Sequence, residues 1–127
     1  MPALEPVDGL RVVATVAALD SARWHGEDVD VLRIAPDEAF AIGATGAELD
    51  DPDAIVEPEV GFAVALLGRG DLATVAAHTD WSIPEAAGTL AQGKIAGVPA
   101  KVLVGDPTLL VTQVAYVDDL ERRLGWR

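Results

Sequence analysis

The chain has no cysteine, only two lysines (Lys94 and Lys101), few aromatics (three Trp, one Tyr, two Phe) and no long apolar run. Without thiols, disulfide bonds and thiolate–metal chemistry are excluded. The longest apolar stretch, Val12 to Leu19, is interrupted by Thr15 and falls far short of the roughly 20 residues that cross a bilayer. The opening residues, Met1-Pro2-Ala3-Leu4-Glu5-Pro6-Val7-Asp8, carry no basic segment and no apolar segment behind it. The expectation is therefore a chain without a signal peptide, located in the cytoplasm.

Acid dominates what charge there is. The formal net charge is −12, with Asp and Glu at 21 against nine Lys and Arg. Such a balance argues against nucleic acid and anionic membrane as partners. Arginine outnumbers lysine seven to two, and Ala, Gly and Val are abundant, a composition that fits a GC-rich bacterial genome.

With 127 residues, the chain is expected to form a single domain that buries roughly two-thirds of its unfolded surface. Much of its apolar half is Ala and Val, which predicts a core of small side chains. Leu10 to Leu19 reads as a β-rich run. Val29 to Ile34 alternates like a strand and stops at Pro36-Asp37-Glu38, where proline presets φ for a turn and Phe40 to Gly43 returns as a hairpin. Gly43 to Pro58, rich in Gly, Pro and acid, reads as a long loop. Val60 to Leu67 is nearly all apolar, as in a strand buried on both faces or central in a sheet.

Asp71 suits the start of a short helix over 71–78. Leu90–Ile95, Val98–Val104 and Leu109–Val114 read as strands, the last two joined through Gly105-Asp106-Pro107. Tyr116, Val117, Leu120 and Leu124 mark the inner face of a final helix over 115–124. The fold class expected is α+β: a mixed, mostly antiparallel sheet with two helices, the second half a β-α-β-β-α unit.

Two segments imitate nucleotide-binding motifs. Gly68-Arg69-Gly70-Asp71-Leu72-Ala73 fits G-x-G-x-x-[GA] between a strand and a helix, but Asp71 puts a carboxylate where a pyrophosphate would bind. It reads as a tight strand-to-helix turn. Gly88-Thr89-Leu90-Ala91-Gln92-Gly93-Lys94-Ile95 has Ile95 where a P-loop needs a hydroxyl, and a strand follows where a helix must.

The carboxylates Glu48, Asp50, Asp51, Asp53, Glu57 and Glu59 lack the spacing of a calcium loop, and Pro52 breaks the run. His25 and His78 stand near Asp28 and Asp80, and Ser21 and Ser82 are the serines, yet no nucleophile elbow accompanies them. Trp81 is read as a core aromatic. Trp24 and Trp126 are read as candidates for exposure and for interface anchors. No catalytic, cofactor-binding or metal-binding residue is assigned.

Several stretches carry a family resemblance. They are Gly68 to Leu72 with the helix ending His78-Thr79-Asp80-Trp81, then Leu90-Ala91-Gln92-Gly93-Lys94-Ile95-Ala96-Gly97-Val98-Pro99-Ala100-Lys101-Val102, and the final Tyr116-Val117-Asp118-Asp119-Leu120. Leu32-Arg33-Ile34-Ala35-Pro36-Asp37-Glu38 adds a hairpin in which Ala35 replaces a usual glycine. Over 29–124 the chain resembles the gamma subunit of heterotetrameric sarcosine oxidase and, more broadly, the first domain of aminomethyltransferase, the glycine cleavage T protein. The resemblance implies a small, cofactor-free structural partner of larger catalytic subunits. The second domain and acid used in folate chemistry are not recognisable here.

The leading expectation is thus a non-catalytic assembly subunit or interaction domain with a protein partner or as a homo-oligomer. A small-molecule, folate-like binding module in a cleft between the sheet and the 43–58 loop comes second. A standalone enzyme using His78 and Asp80 comes third.

Overall fold

The computed structural model describes residues 2–127. It is an α+β protein with seven strands: β1 (Glu5–Val13), β2 (Arg23–Ala35), β3 (Glu38–Glu48), β4 (Ile55–Leu67), β5 (Leu90–Ile95), β6 (Val98–Leu103) and β7 (Thr108–Gln113). Three short helices join them: α1 (Val16–Asp20), α2 (Arg69–Ala76) and α3 (Val117–Arg123), the last preceded by a single 3-10 turn at Val114–Tyr116. The strands form one sheet in the order β2-β3-β1-β4-β7-β6-β5. No helix among the described residues is long and apolar enough to cross a membrane.

By its contacts the described chain divides into two compact units, Val7–Val60 and the remainder. The division is also one of charge. Val7–Val60 holds thirteen acidic residues against three arginines, a net −10, which leaves −2 for the rest of the chain. The first is called the acidic unit below, the second the C-terminal unit.

In the acidic unit, the expected strand over 10–19 is two elements. β1 stops at Val13, and Thr15 starts α1 by taking the Ala18 N–H on its hydroxyl at 3.2 Å. A helix is favoured there because a Thr N-cap satisfies one of the four orphan N–H groups at a helix start. Ala18 and Leu19 then pack with Val12, Ala14 and Ala39 in a small core, edged by Trp24 and Val31. Pro36 and Asp37 do form the turn between β2 and β3. The long loop expected over 43–58 is not there. β3 runs on to Glu48 and β4 begins at Ile55, so only Leu49 to Ala54 connects them.

The physical reason is pairing. His25–Gly46, Trp24–Ala47 and Arg23–Glu48 are in register across β2 and β3, so ladder hydrogen bonds offset the weak strand propensity of Gly43 and Gly46. β2, which ends the sheet, is irregular at Gly26–Asp30, with register shifts and Asp28 at φ 49°. Bulges and acids of this kind blunt an edge against further pairing.

The C-terminal unit follows the sequence closely. α2 begins two residues before Asp71, at Arg69, and α3 lies inside the expected 115–124. The second half has one strand more than β-α-β-β-α, running β4-α2-β5-β6-β7-α3. Every register-matched pair is antiparallel: β4 with β7, β7 with β6, and β6 with β5. β5 and β6 are joined by Ala96 (φ 51°) and Gly97 (φ 80°), a two-residue turn whose positive φ values suit a right-twisted hairpin.

One face of these strands, bearing Ala63, Ala65, Leu67, Val102 and Leu110, packs against Val75 of α2 and Leu120 of α3. Trp126, a candidate for exposure from its place in the sequence, is 9% exposed and belongs to this core. Trp24 is likewise partly buried against the other core. In both cases flanking polar residues disguised a packed side chain. Within the C-terminal unit Glu121, only 7% exposed, accepts the Leu4 N–H and the Arg127 Nε–H, each at 3.0 Å.

Candidate functional site

The glycine turn after β4 is closed by its own helix. Asp71, at the third helical position, accepts the Gly68 backbone N–H on Oδ2 at 3.1 Å. The carboxylate therefore fills the position in which an anion would find free N–H groups and a positive helix end. Gly88 to Ile95, the P-loop imitation, leads straight into β5.

Around α2 lies a cleft of about 1020 Å³. Its apolar walls are Leu67, Leu72, Ile83 and Val104, with Trp81 alongside, and its polar groups are Arg69, Ser82, Glu85 and Asp106. Pro84 helps shape the rim. This cleft belongs wholly to the C-terminal unit. The cleft expected against a 43–58 loop cannot form, because that stretch is largely strand.

Trp81 packs against the C-terminal core and donates its Nε1–H to the Lys94 carbonyl at 2.9 Å. It lies so close to Gly93 that a Cβ there would sit 2.8 Å from Nε1. β5 is the last strand of the sheet, so this hydrogen bond also occupies one carbonyl of an edge.

The remaining candidates are dispersed. His25 Nε2 faces Glu48 Oε2 at 3.3 Å across the β2–β3 hairpin, at an exposed position, so its partner is not Asp28. His78 Nδ1 contacts the Thr74 carbonyl at 2.8 Å within its own helix end. Ser21 hydroxyl is spent on the Ala17 carbonyl. Asp51, from the acidic run, accepts the N–H groups of Thr15 (3.0 Å) and Asp53 (2.9 Å) and so serves the local backbone. Among the described residues no three His, Cys, Asp or Glu side chains converge as a metal site.

Charge is used structurally on β1. Arg11 bridges Glu38 and Glu57, both at 2.9 Å, and hydrogen bonding to Glu38 foremost holds its guanidinium pKa above the usual value.

What the sequence reading passed over is a row of leucines. Leu90 pairs with Leu103, Leu103 with Leu109, and Leu109 with Leu66, across four adjacent strands. Side chains alternate along a strand, so this row lies on the face opposite Ala65, Leu67, Val102 and Leu110. Leu66 remains 61% exposed at its end, whereas Leu109 is buried. The signal was present as alternation within Val60–Leu67, but an unbroken apolar run conceals which face each residue takes.

No protein-family model matches the chain, and no curated protein matches it.

Proposed function

We propose that the chain is a non-catalytic assembly subunit or interaction domain, resembling the gamma subunit of sarcosine oxidase. The observation that carries this reading is the set of large aliphatic side chains left in water. Val60 (64% exposed), Leu66, Ile55 and Val56 all lie on β4. Single exposed aliphatics are ordinary on a protein surface, but Ile55, Val56 and Val60, close together on the acidic unit's part of β4, are the kind of surface that partners cover. The resemblance over 29–124 supports the same role beside a larger catalytic protein. The test is affinity purification of the tagged chain from its native cell, followed by native mass spectrometry. A stoichiometric complex with a larger protein is expected; recovery of the chain alone counts against the role.

A second reading, a small-molecule binding module, is favoured by the cleft beside α2. Arg69 lies at its edge and Trp81 along its wall, a pairing suited to a planar molecule carrying a carboxylate, as folate-like compounds do. A tightly held small molecule released from the purified chain on denaturation would favour this reading over the first.

A further inference from the structure

The geometry points to the cleft beside α2 as a groove for an extended protein segment that pairs with the backbone of residues 82–85 and carries a Lys or Arg. This inference rests on the assembly reading and adds to it a place of contact and its chemistry. It gives the cleft a peptide in place of a small molecule.

The main chain carries the argument. Ser82, Ile83, Pro84 and Glu85 line the cleft and belong to no helix or strand. Pro84 fixes its own φ near about −65° and keeps Ile83 out of the helical region, so the stretch is held extended. Among the described residues, none makes a hydrogen bond to the backbone N–H or C=O groups of these four. Both flanks are tied down. The Trp81 carbonyl accepts the Thr79 hydroxyl at 2.9 Å, and the Gly88 N–H donates to the Val104 carbonyl at 2.8 Å.

An anchored, extended stretch with unpaired main-chain groups is what a strand-adding peptide needs. Backbone groups alternate in direction along an extended chain, so Ile83 and Glu85 share a side, each with both an N–H and a C=O. Pro84, which has no N–H, takes the other side, the place proline has on a sheet edge.

The floor is apolar. Leu67 and Val104 are buried beneath the cleft, and Leu72 and Ile83 are half-buried in its walls. Four extended residues span about 13 Å, along which alternate side chains of a paired segment enter this floor. A planar small molecule fits the floor but leaves the main-chain groups unpaired.

Charge selects the occupant. The cleft has two carboxylates, Glu85 and Asp106, against one guanidinium, Arg69, and none of these side chains has an ion pair or hydrogen bond among the described residues. A basic residue on the incoming segment complements the excess carboxylate, and the chain's −12 favours the approach of a basic surface. A second copy brings the same −12 with it.

The complex recovered from the native cell supplies the experiment. With a benzophenone side chain in place of Ser82, irradiation should join the chain to a segment of the larger protein that has aliphatics at alternate positions and a Lys or Arg. A synthetic peptide of that segment should bind the purified chain and slow hydrogen exchange at the Ile83 and Glu85 amides. N-methylation of its alternate amides should abolish binding in one register and spare it in the other. Glu85→Lys combined with Asp106→Lys should weaken binding at least about tenfold. Both positions are exposed, and circular dichroism melts confirm that the variant folds.

A complex that forms without this cross-link, or a peptide indifferent to methylation in both registers, overturns the groove while leaving the assembly role standing. Absence of any larger partner overturns both. Two further results overturn the groove alone: a cross-link to a second copy in a dimer, or a small molecule that co-purifies with the chain and that the peptide does not displace.

Discussion

The Asp71 carboxylate and the Gly68 backbone N–H meet at 3.1 Å, and this closes the first turn of α2 on itself. A phosphate drawn to the same helix end would have to displace a fixed negative charge. At an effective dielectric near 20, like unit charges about 4 Å apart repel by roughly 4 kcal/mol, near three decades of affinity. Calorimetric titration with ATP, NAD or FAD at low salt is expected to give no saturable heat. A micromolar dissociation constant lost in Gly70→Val would reverse this. Asp71→Ala should cost about 1 kcal/mol of stability, as loss of a helix-start carboxylate does, measured by urea unfolding.

Gly93 and Trp81 are matched in the same way. Gly93→Ala brings a methyl within 2.8 Å of the indole nitrogen, and rigid β5 backbone leaves the ring to move. Overpacking of this kind costs about 1–3 kcal/mol. The variant should melt earlier, and Trp81 fluorescence should shift red as the ring is pushed toward water. Trp81→Phe removes the hydrogen bond to Lys94 but keeps most of the packing, so about 1 kcal/mol is expected. An unchanged melting temperature in Gly93→Ala would show that the ring relaxes freely.

Glu121 ties Leu4 and Arg127 to α3. Glu121→Ala leaves the Leu4 N–H without its partner at a buried position, and about 1–3 kcal/mol should be lost. Hydrogen exchange of the Leu4 amide is the direct measure: protection should fall in the variant. Arg127→Ala removes only the exposed arm of the network and should cost less than 1 kcal/mol.

Arg11 gives a prediction about salt. Its pKa is raised in the folded chain, so its contribution is present below the unfolded value and would be lost only as pH rises through the folded one. Both lie far above neutrality, so Arg11 itself adds no pH dependence to stability in the neutral range. The stability difference between the native protein and Arg11→Gln should instead shrink as ionic strength rises, because both carboxylate contacts are reachable by counterions. A difference insensitive to salt would assign the effect to packing of the Arg11 stem.

Thr15→Val tests α1, a helix of only five residues. Removing the hydroxyl that accepts the Ala18 N–H should cost about 1 kcal/mol. Exchange at Ala18 should rise while exchange at Val102, in the other unit's core, stays as in the parent.

The amino-acid sequence by itself determined the elements whose local chemistry and apolar pattern agree. β5 and β6 follow from apolar residues on either side of Ala96-Gly97, α2 from Gly68 and Asp71, and α3 from the spacing of Val117, Leu120 and Leu124. It also determined the −12 charge and the absence of thiol chemistry. Tertiary structure decided what depends on residues distant in the chain. Gly43 to Glu48 and Ile55 to Pro58 look like loop because Gly, Pro and acid have weak strand propensity; they are strand because partners across the sheet supply the hydrogen bonds. Trp126 is core because Glu121 and the α3 turn place it there, and no local pattern carries that information. The leucine row exists only through register. Its members lie at 66, 90, 103 and 109, and pairing across four strands alone brings them to one line, since side-chain direction reverses with each residue of slip.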